Sequence, residues 1–327
     1  MQLFQTISRK SLSIWLSLLC MLSLWSSFSL SASAEDTIPF PIAWQQSEGS
    51  GAEEQRLAYL PEVDNWCDYP WNRGTETGNT VGQAGCSLLS IVNAVYYRTG
   101  SFLHPAKLAQ FALDNGYRIP GVDGAAMGFF PAVAQAAEES HMTFAGWTTQ
   151  AAAVLEHLRN GGTASANIAG HWIALVDYDV TTDQYLMLDS SQISSRAEHI
   201  AWTDRKNGVA WLSEAVLLEN GRNGYYGINK RYSALYTFDV PYTLGDVNQD
   251  DVISVEDARL VLQYYASTAA SLDFRLHPQI VTHNAGISAA DIDGNGLVTV
   301  QDATAILSYY AQQAAGAEPS WGQVLCG

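Results

Sequence analysis

Asp246-Val247-Asn248-Gln249-Asp250-Asp251-Val252-Ile253-Ser254-Val255-Glu256-Asp257-Ala258-Arg259-Leu260-Val261-Leu262-Gln263-Tyr264-Tyr265-Ala266 is written again 45 residues later as Asp291-Ile292-Asp293-Gly294-Asn295-Gly296-Leu297-Val298-Thr299-Val300-Gln301-Asp302-Ala303-Thr304-Ala305-Ile306-Leu307-Ser308-Tyr309-Tyr310-Ala311. Side-chain oxygens fall at the same places of both copies: Asp246, Asn248, Asp250, Ser254 and Asp257, then Asp291, Asp293, Asn295, Thr299 and Asp302. A tight loop converges alternate side chains on one point. Its seventh residue, Val252 or Leu297, adds a backbone carbonyl, and its twelfth reaches back from the following helix. Such an oxygen set suits a hard cation, and calcium is the expected ion at two sites. Ala258, Val261, Leu262 and Tyr265, and their counterparts Ala303, Ile306, Leu307 and Tyr310, recur at helical spacing. Each unit is therefore expected to be loop then helix, without the preceding helix of a complete EF-hand.

The duplicated loop-helix pattern, over about residues 244–315, resembles a type I dockerin, the module that plugs a protein into a cohesin on a scaffolding protein. Asp257 and Asp302 at the twelfth position follow dockerin habit. Asp251 departs from the pattern, standing where Gly296 eases the turn of the second loop. The insert Ser267 to Ser288 also lengthens the spacing between the halves. The resemblance implies that a cohesin meets Val255, Glu256, Leu262 and Gln263 of the first unit and Val300, Gln301, Leu307 and Ser308 of the second.

At the other end, Arg9 and Lys10 precede an apolar, Ser-rich run from Ser11 to Leu30, and Ala32-Ser33-Ala34 offers small residues before Glu35. This reads as a secretory signal peptide over residues 1–34. The 327-residue chain carries a net charge of −17, and losing the two cations of the signal leaves −19. With 47% apolar and 15% charged residues it is neither a disordered polar chain nor a basic nucleic-acid binder. Cys67, Cys86 and Cys326 would remain after export, an odd number that leaves at least one thiol unpaired.

Residues 35–240 hold 12 basic and 23 acidic residues and form the expected larger domain, followed by a C-terminal domain over 241–327. Gln45 to Gln55 reads as a surface loop. In Val81-Gly82-Gln83-Ala84-Gly85-Cys86-Ser87-Leu88-Leu89-Ser90-Ile91-Val92-Asn93, the glycines break regular structure and an apolar helical pattern follows, so Cys86 stands at a helix start. Unpaired amides and the helix dipole favour a thiolate there. Thr163 to Ile168, His171 to Asp179 and Gln184 to Asp189 read as successive strands. In an antiparallel pair the start of the second run lies beside the end of the third, which makes His171 and Asp189 neighbours. A thiol, an imidazole and a carboxylate in this order make up a thiol-hydrolase triad: His171 takes the Cys86 proton and Asp189 fixes the imidazole.

Gly85-Cys86, Gly170-His171-Trp172 and Asp189 at a strand end resemble the papain-like peptidases of the bacteriocin-leader-processing group over about residues 58–220. The resemblance implies an α+β domain with a helix-borne Cys packed on an antiparallel sheet, a polypeptide substrate, and an oxyanion amide upstream of the Cys. Gln83 is the expected donor and Asn65 the alternative. Ser87-Leu88-Leu89 departs from the Gly-Pro-Thr of many members. The expected whole is thus a secreted cysteine peptidase held on a cellulosome scaffold. A peptidoglycan amidase of NlpC or CHAP type, or a fold that lost its chemistry and only binds, is the alternative.

Overall fold

The structure is a computed structural model that describes residues 38, 40–71, 80–118, 124–137, 140–192, 195–219, 225–229, 231–269 and 283–326. The expected signal peptide and residues 270–282 of the insert lie outside the described residues, as does the side chain of Cys326. Six strands form one antiparallel sheet: β1 Met142–Thr148, β2 Thr163–Ile168, β3 His171–Asp179, β4 Gln184–Leu188, β5 Val209–Ser213 and β6 Ser233–Phe238, in the order β1-β6-β2-β3-β4-β5. The architecture is α+β.

Sequence explains the layering. Strand β2, Thr-Ala-Ser-Ala-Asn-Ile, is buried at every residue, and its small side chains let helices approach both faces of the sheet. On one face Ala164, Ala166 and Ile168, with Ile173 and Leu175 of β3, meet Val154, Leu155 and Leu158 of helix Ala151–Arg159. On the other face Ser165 Oγ lies 3.0 Å from Ser90 Oγ, which belongs to helix Cys86–Thr99. That helix is buried from Ser87 to Arg98, as a helix apolar on nearly all sides must be. It stops at Gly100, whose left-handed backbone (φ 72°) returns its amide to the Tyr96 carbonyl at 2.9 Å.

Gly85 separates helix Cys86–Thr99 from the short helix Val81–Ala84; a Cβ on it would strike the Val81 backbone. Cys86 therefore opens a new helix rather than continuing an old one.

Two sequence expectations need correction. Gln45 to Gln55 is not a surface loop: Gln45, Gln46, Ser50 and Gln55 are buried, and helix Ala52–Tyr59 begins inside this stretch. Most of their polar groups are paired, with Gln55 Oε1 accepting the Gln45 amide at 2.9 Å and Gln45 Nε2 donating to the Ala43 carbonyl at 2.9 Å, while Gln45 Oε1 has no partner among the described residues. Amide side chains paired in this way can be buried. The second correction concerns the C-terminal units. Helix His283–Ala290 leads directly into the loop at Asp291, so the second loop is flanked by helices on both sides.

The C-terminal units share an apolar core of their own, built from Val247, Ala258, Leu260 and Val261 of the first and Ile292, Ala303, Ala305 and Ile306 of the second. Among the described residues no helix is long and apolar enough to cross a membrane.

Candidate active site and metal loops

Strand register carries His171 to Asp189. Strands β3 and β4 pair antiparallel with Ala174 opposite Leu188, so the chain leaving β4 passes the start of β3. There His171 Nε2 donates to Asp189 Oδ1 at 2.8 Å, with His171 5% exposed and Asp189 fully buried. The other ring nitrogen, Nδ1, is not used by Asp189, and half-buried Cys86, in the first turn of its helix, is the thiol whose charge the imidazole feels.

Asp189 is held by three further groups. The Ser191 amide donates to Oδ1 at 2.8 Å, the Tyr226 hydroxyl donates to Oδ2 at 2.9 Å, and Arg196 Nε makes an ion pair with Oδ2 at 3.5 Å. Its backbone is fixed too, the Asp189 amide donating to Gly208 and its carbonyl accepting from Gln45 Nε2 at 3.1 Å. A buried carboxylate without such partners would cost several kcal/mol.

The electrostatics follow from burial and pairing. Burial alone would raise Asp189, but His171, Arg196 and the Ser191 amide hold it well below the ordinary carboxylate range. Burial alone would lower His171; the charge and hydrogen bond of Asp189, with those of Cys86, push it up to about 9 instead. Burial also opposes ionisation of Cys86, yet the hydrogen bond and charge of His171, the Trp172 amide and the charge of Arg196 bring the thiol below its usual value. The direction is that of a thiolate–imidazolium pair, the form in which sulfur is a nucleophile near neutral pH.

Gln83, the expected oxyanion donor, also has a local capping role. It is exposed, and its Oε1 accepts the Thr80 amide at 3.1 Å, closing the cap of helix Val81–Ala84. Asn65 likewise serves a local turn, its Oδ1 accepting the Cys67 amide at 2.8 Å. The Trp172 amide favours the Cys86 thiolate. Gln46 bridges the two sides of the site, with Nε2 donating to the Gly82 carbonyl at 3.1 Å and Oε1 accepting from Ser190 Oγ at 3.2 Å. Neither Gln46, Arg196 nor Tyr226 has a spacing that marks it in the sequence.

The remaining candidates have local roles. Asp177 accepts from the Tyr97 hydroxyl at 2.6 Å, and Asp179 caps its turn through the Thr181 amide. His104 caps a helix by accepting the Ala106 amide at 3.1 Å, His157 bonds the Tyr236 carbonyl, and His199 stacks on Tyr225. Cys67 is a free buried thiol that burial pushes up to about 12, an inert packing residue.

The two C-terminal loops share most of their hydrogen bonds. Asp257 Oδ1 accepts the Val247 amide and Oδ2 the Ser254 amide, each at 2.8 Å; Asp302 takes the Ile292 and Thr299 amides in the same way, each at 2.8 Å. Asp246 accepts from the Asp250 and Asp251 amides, and Asp291 from those of Asn295 and Gly296. Asp291, Asp293 and Asp302 bring carboxylate oxygens within 4.8 Å of one another, a donor set that fits a hard divalent cation. The sequence difference lies in the turn. Gln249 (φ 58°) and Asp251 (φ 65°) are left-handed where the second loop has Gly294 (φ 69°) and Gly296 (φ 83°), so the first loop keeps the shape without the glycines.

The exposed residues of these units repeat as well. Val255, Leu262 and Tyr265 of helix Val255–Ala269 and Val300, Leu307 and Tyr310 of helix Val300–Ala314 are large, apolar and open to solvent.

Comparison with known proteins agrees with this part of the chain. Residues 244–309 match the Dockerin type I domain family. No curated protein and no solved structure matches the chain. Residues 244–309 thus form a type I dockerin domain, a calcium-binding pair of loop-helix units that attaches an extracellular protein to a cohesin of the cellulosome.

Proposed function

We propose that residues 35–240 are a cysteine peptidase of papain-like fold, exported by the signal at 1–34 and carried on a cellulosome scaffold by the dockerin. The observation that carries the reading is the buried His171–Asp189 bond of 2.8 Å, with the thiol of Cys86 standing at a helix start and its charge coupled to the imidazole. The Cys86 thiolate attacks a peptide carbonyl carbon, forming a C–S bond while the carbonyl electrons move to oxygen. Unpaired amides at the start of helix Cys86–Thr99, that of Cys86 among them, are placed to receive this charge. Collapse of the intermediate breaks the C–N bond, and His171 gives the leaving amine its proton. Water, deprotonated by His171, then hydrolyses the thioester and restores Cys86. Asp189 holds the imidazole through both steps.

The test offers the exported form an unfolded polypeptide and, separately, purified peptidoglycan, with Cys86→Ala as control and products read by mass spectrometry. Cys86-dependent cleavage of the polypeptide is expected. Cleavage of peptidoglycan alone would replace the peptidase with a cell-wall amidase. No cleavage together with a slow, ordinary thiol would leave a binding module.

A further inference from the structure

Asp189 presents two oxygens, and the hydrolase reading uses one. Oδ1 faces His171; Oδ2 is turned to Tyr226 and Arg196. Tyr226 is 1% exposed and its hydroxyl donates to Oδ2 at 2.9 Å. Arg196, its side chain 14% exposed, stands on the other side of the carboxylate, where Nη2 also donates to the Ser191 carbonyl at 3.2 Å. A tyrosine buried for packing alone does not need a carboxylate under its hydroxyl, because the apolar surroundings of its ring would serve phenylalanine as well. An arginine aimed at a carboxylate that already serves a histidine competes for it unless the two cations use different oxygens, and here they do.

We propose that Tyr226 and Arg196 are positioning residues that fasten Oδ2 of Asp189, so that Oδ1 is aimed at His171 and His171 at Cys86 in a single geometry. The inference rests on the cysteine-hydrolase reading. Carboxylates rotate about the Cβ–Cγ bond, and a hydrogen bond from Tyr226 together with the Arg196 ion pair on one oxygen opposes that rotation. The charged and titratable groups around the carboxylate are His171 from β3, Arg196 from the 3-10 helix Ser195–His199 and Tyr226 from the chain before β6; Cys86 lies across His171. Farther out, Arg205, paired with Glu198, faces Tyr226. Arg196 also acts on Cys86 by charge, favouring the thiolate.

The test uses Tyr226→Phe and Arg196→Gln in the full chain, with Arg196→Lys as the conservative variant. Two properties are read against pH: the alkylation rate of Cys86 by iodoacetamide, and the NMR titration of the His171 imidazole. Removing one donor from a buried charged group is expected to move the Cys86 midpoint upward and the His171 midpoint downward, slowing alkylation about tenfold at pH 5. Arg196→Lys is expected to recover part of the loss, because it keeps the charge. If Tyr226→Phe lowers the melting temperature while both midpoints stay in place, Tyr226 only packs and the inference is overturned. Should Tyr226→Phe fail to fold, unchanged midpoints in Arg196→Gln overturn it instead. A wild type whose Cys86 has no reactivity below its ordinary range would remove the hydrolase reading itself, whereas a reactive wild type with unmoved variants would remove only the positioning role.

Discussion

His171 and Asp189 are 18 residues apart in the chain and 2.8 Å apart in space, joined through Nε2 and Oδ1 with almost no access to water. Because Nε2 is spent on the carboxylate, the thiol meets Nδ1, and only a ring carrying its proton on Nε2 can act as a base toward Cys86. The carboxylate therefore chooses the tautomer, and its removal should cost more than a hydrogen bond. Asp189→Asn is expected to lower turnover about a thousandfold while leaving the fold intact, since the amide can present its NH2 to the ring and select the wrong tautomer. Single-turnover kinetics on a cleaved polypeptide would check this.

The pH dependence has a defined sign. Cys86 is lowered and His171 is raised to about 9, so the thiolate–imidazolium pair exists between the two. Activity should rise as pH climbs through the lowered thiol value, hold across neutrality, and fall as His171 loses its proton near pH 9 and can no longer protonate the leaving amine. A rate profile with its rising limb centred near the ordinary thiol value of about 8.5 would contradict the pairing.

Gly208 supports the carboxylate from behind. Its left-handed backbone (φ 66°) brings it against the Asp189 carbonyl and Gln45 Nε2, and an added Cβ would collide with both. Gly208→Ala is expected to destabilise the protein by about 2–4 kcal/mol, from strain plus displacement of the loop after β4. Denaturant unfolding would measure the loss, and Cys86 alkylation at pH 5 should slow in the same variant.

How much of this is legible in the sequence depends on how local each cause is. The paired loops are readable because every ligand sits within twelve residues of the first. The meeting of His171 and Asp189 is readable because two strands and one turn fix it. Gln45, Gln46 and Gln55 are misread as surface because amide side chains look polar alone; the groups that satisfy them include Asp189 and Ser190, more than 140 residues away. For Gln83, proximity in sequence to Cys86 suggests an oxyanion donor, and the cap it makes at Thr80 engages its Oε1 and leaves its Nε2 as the donor in question. Tyr226 reaches the site from a segment beyond β5, which no periodicity connects to it.

The loops differ in strain and should respond in opposite senses. Gln249→Gly relieves a left-handed non-glycine residue and is expected to raise the melting temperature of the calcium-loaded dockerin by a few degrees, the gain being about 1 kcal/mol less the added freedom of the unfolded chain. Gly296→Ala imposes the strain that the second loop lacks and should lower it. Calorimetry on the calcium-loaded chain distinguishes them.

Calcium and the thiol belong to separate devices. A chelator is expected to abolish cohesin binding and to leave the alkylation rate of Cys86 unchanged, because the oxygen ligands lie in the loops at 246–257 and 291–302 and not at the thiol. Joint loss of both would contradict two independent modules.

The most direct test of the central claim is the alkylation rate of each cysteine by mass spectrometry from pH 4 to 9, in the wild type and in His171→Ala. Cys86 is expected to react well below pH 8.5 and Cys67 to stay inert, with His171→Ala removing the low-pH reactivity of Cys86 alone. A Cys86 that reacts like an ordinary buried thiol in both proteins would contradict it.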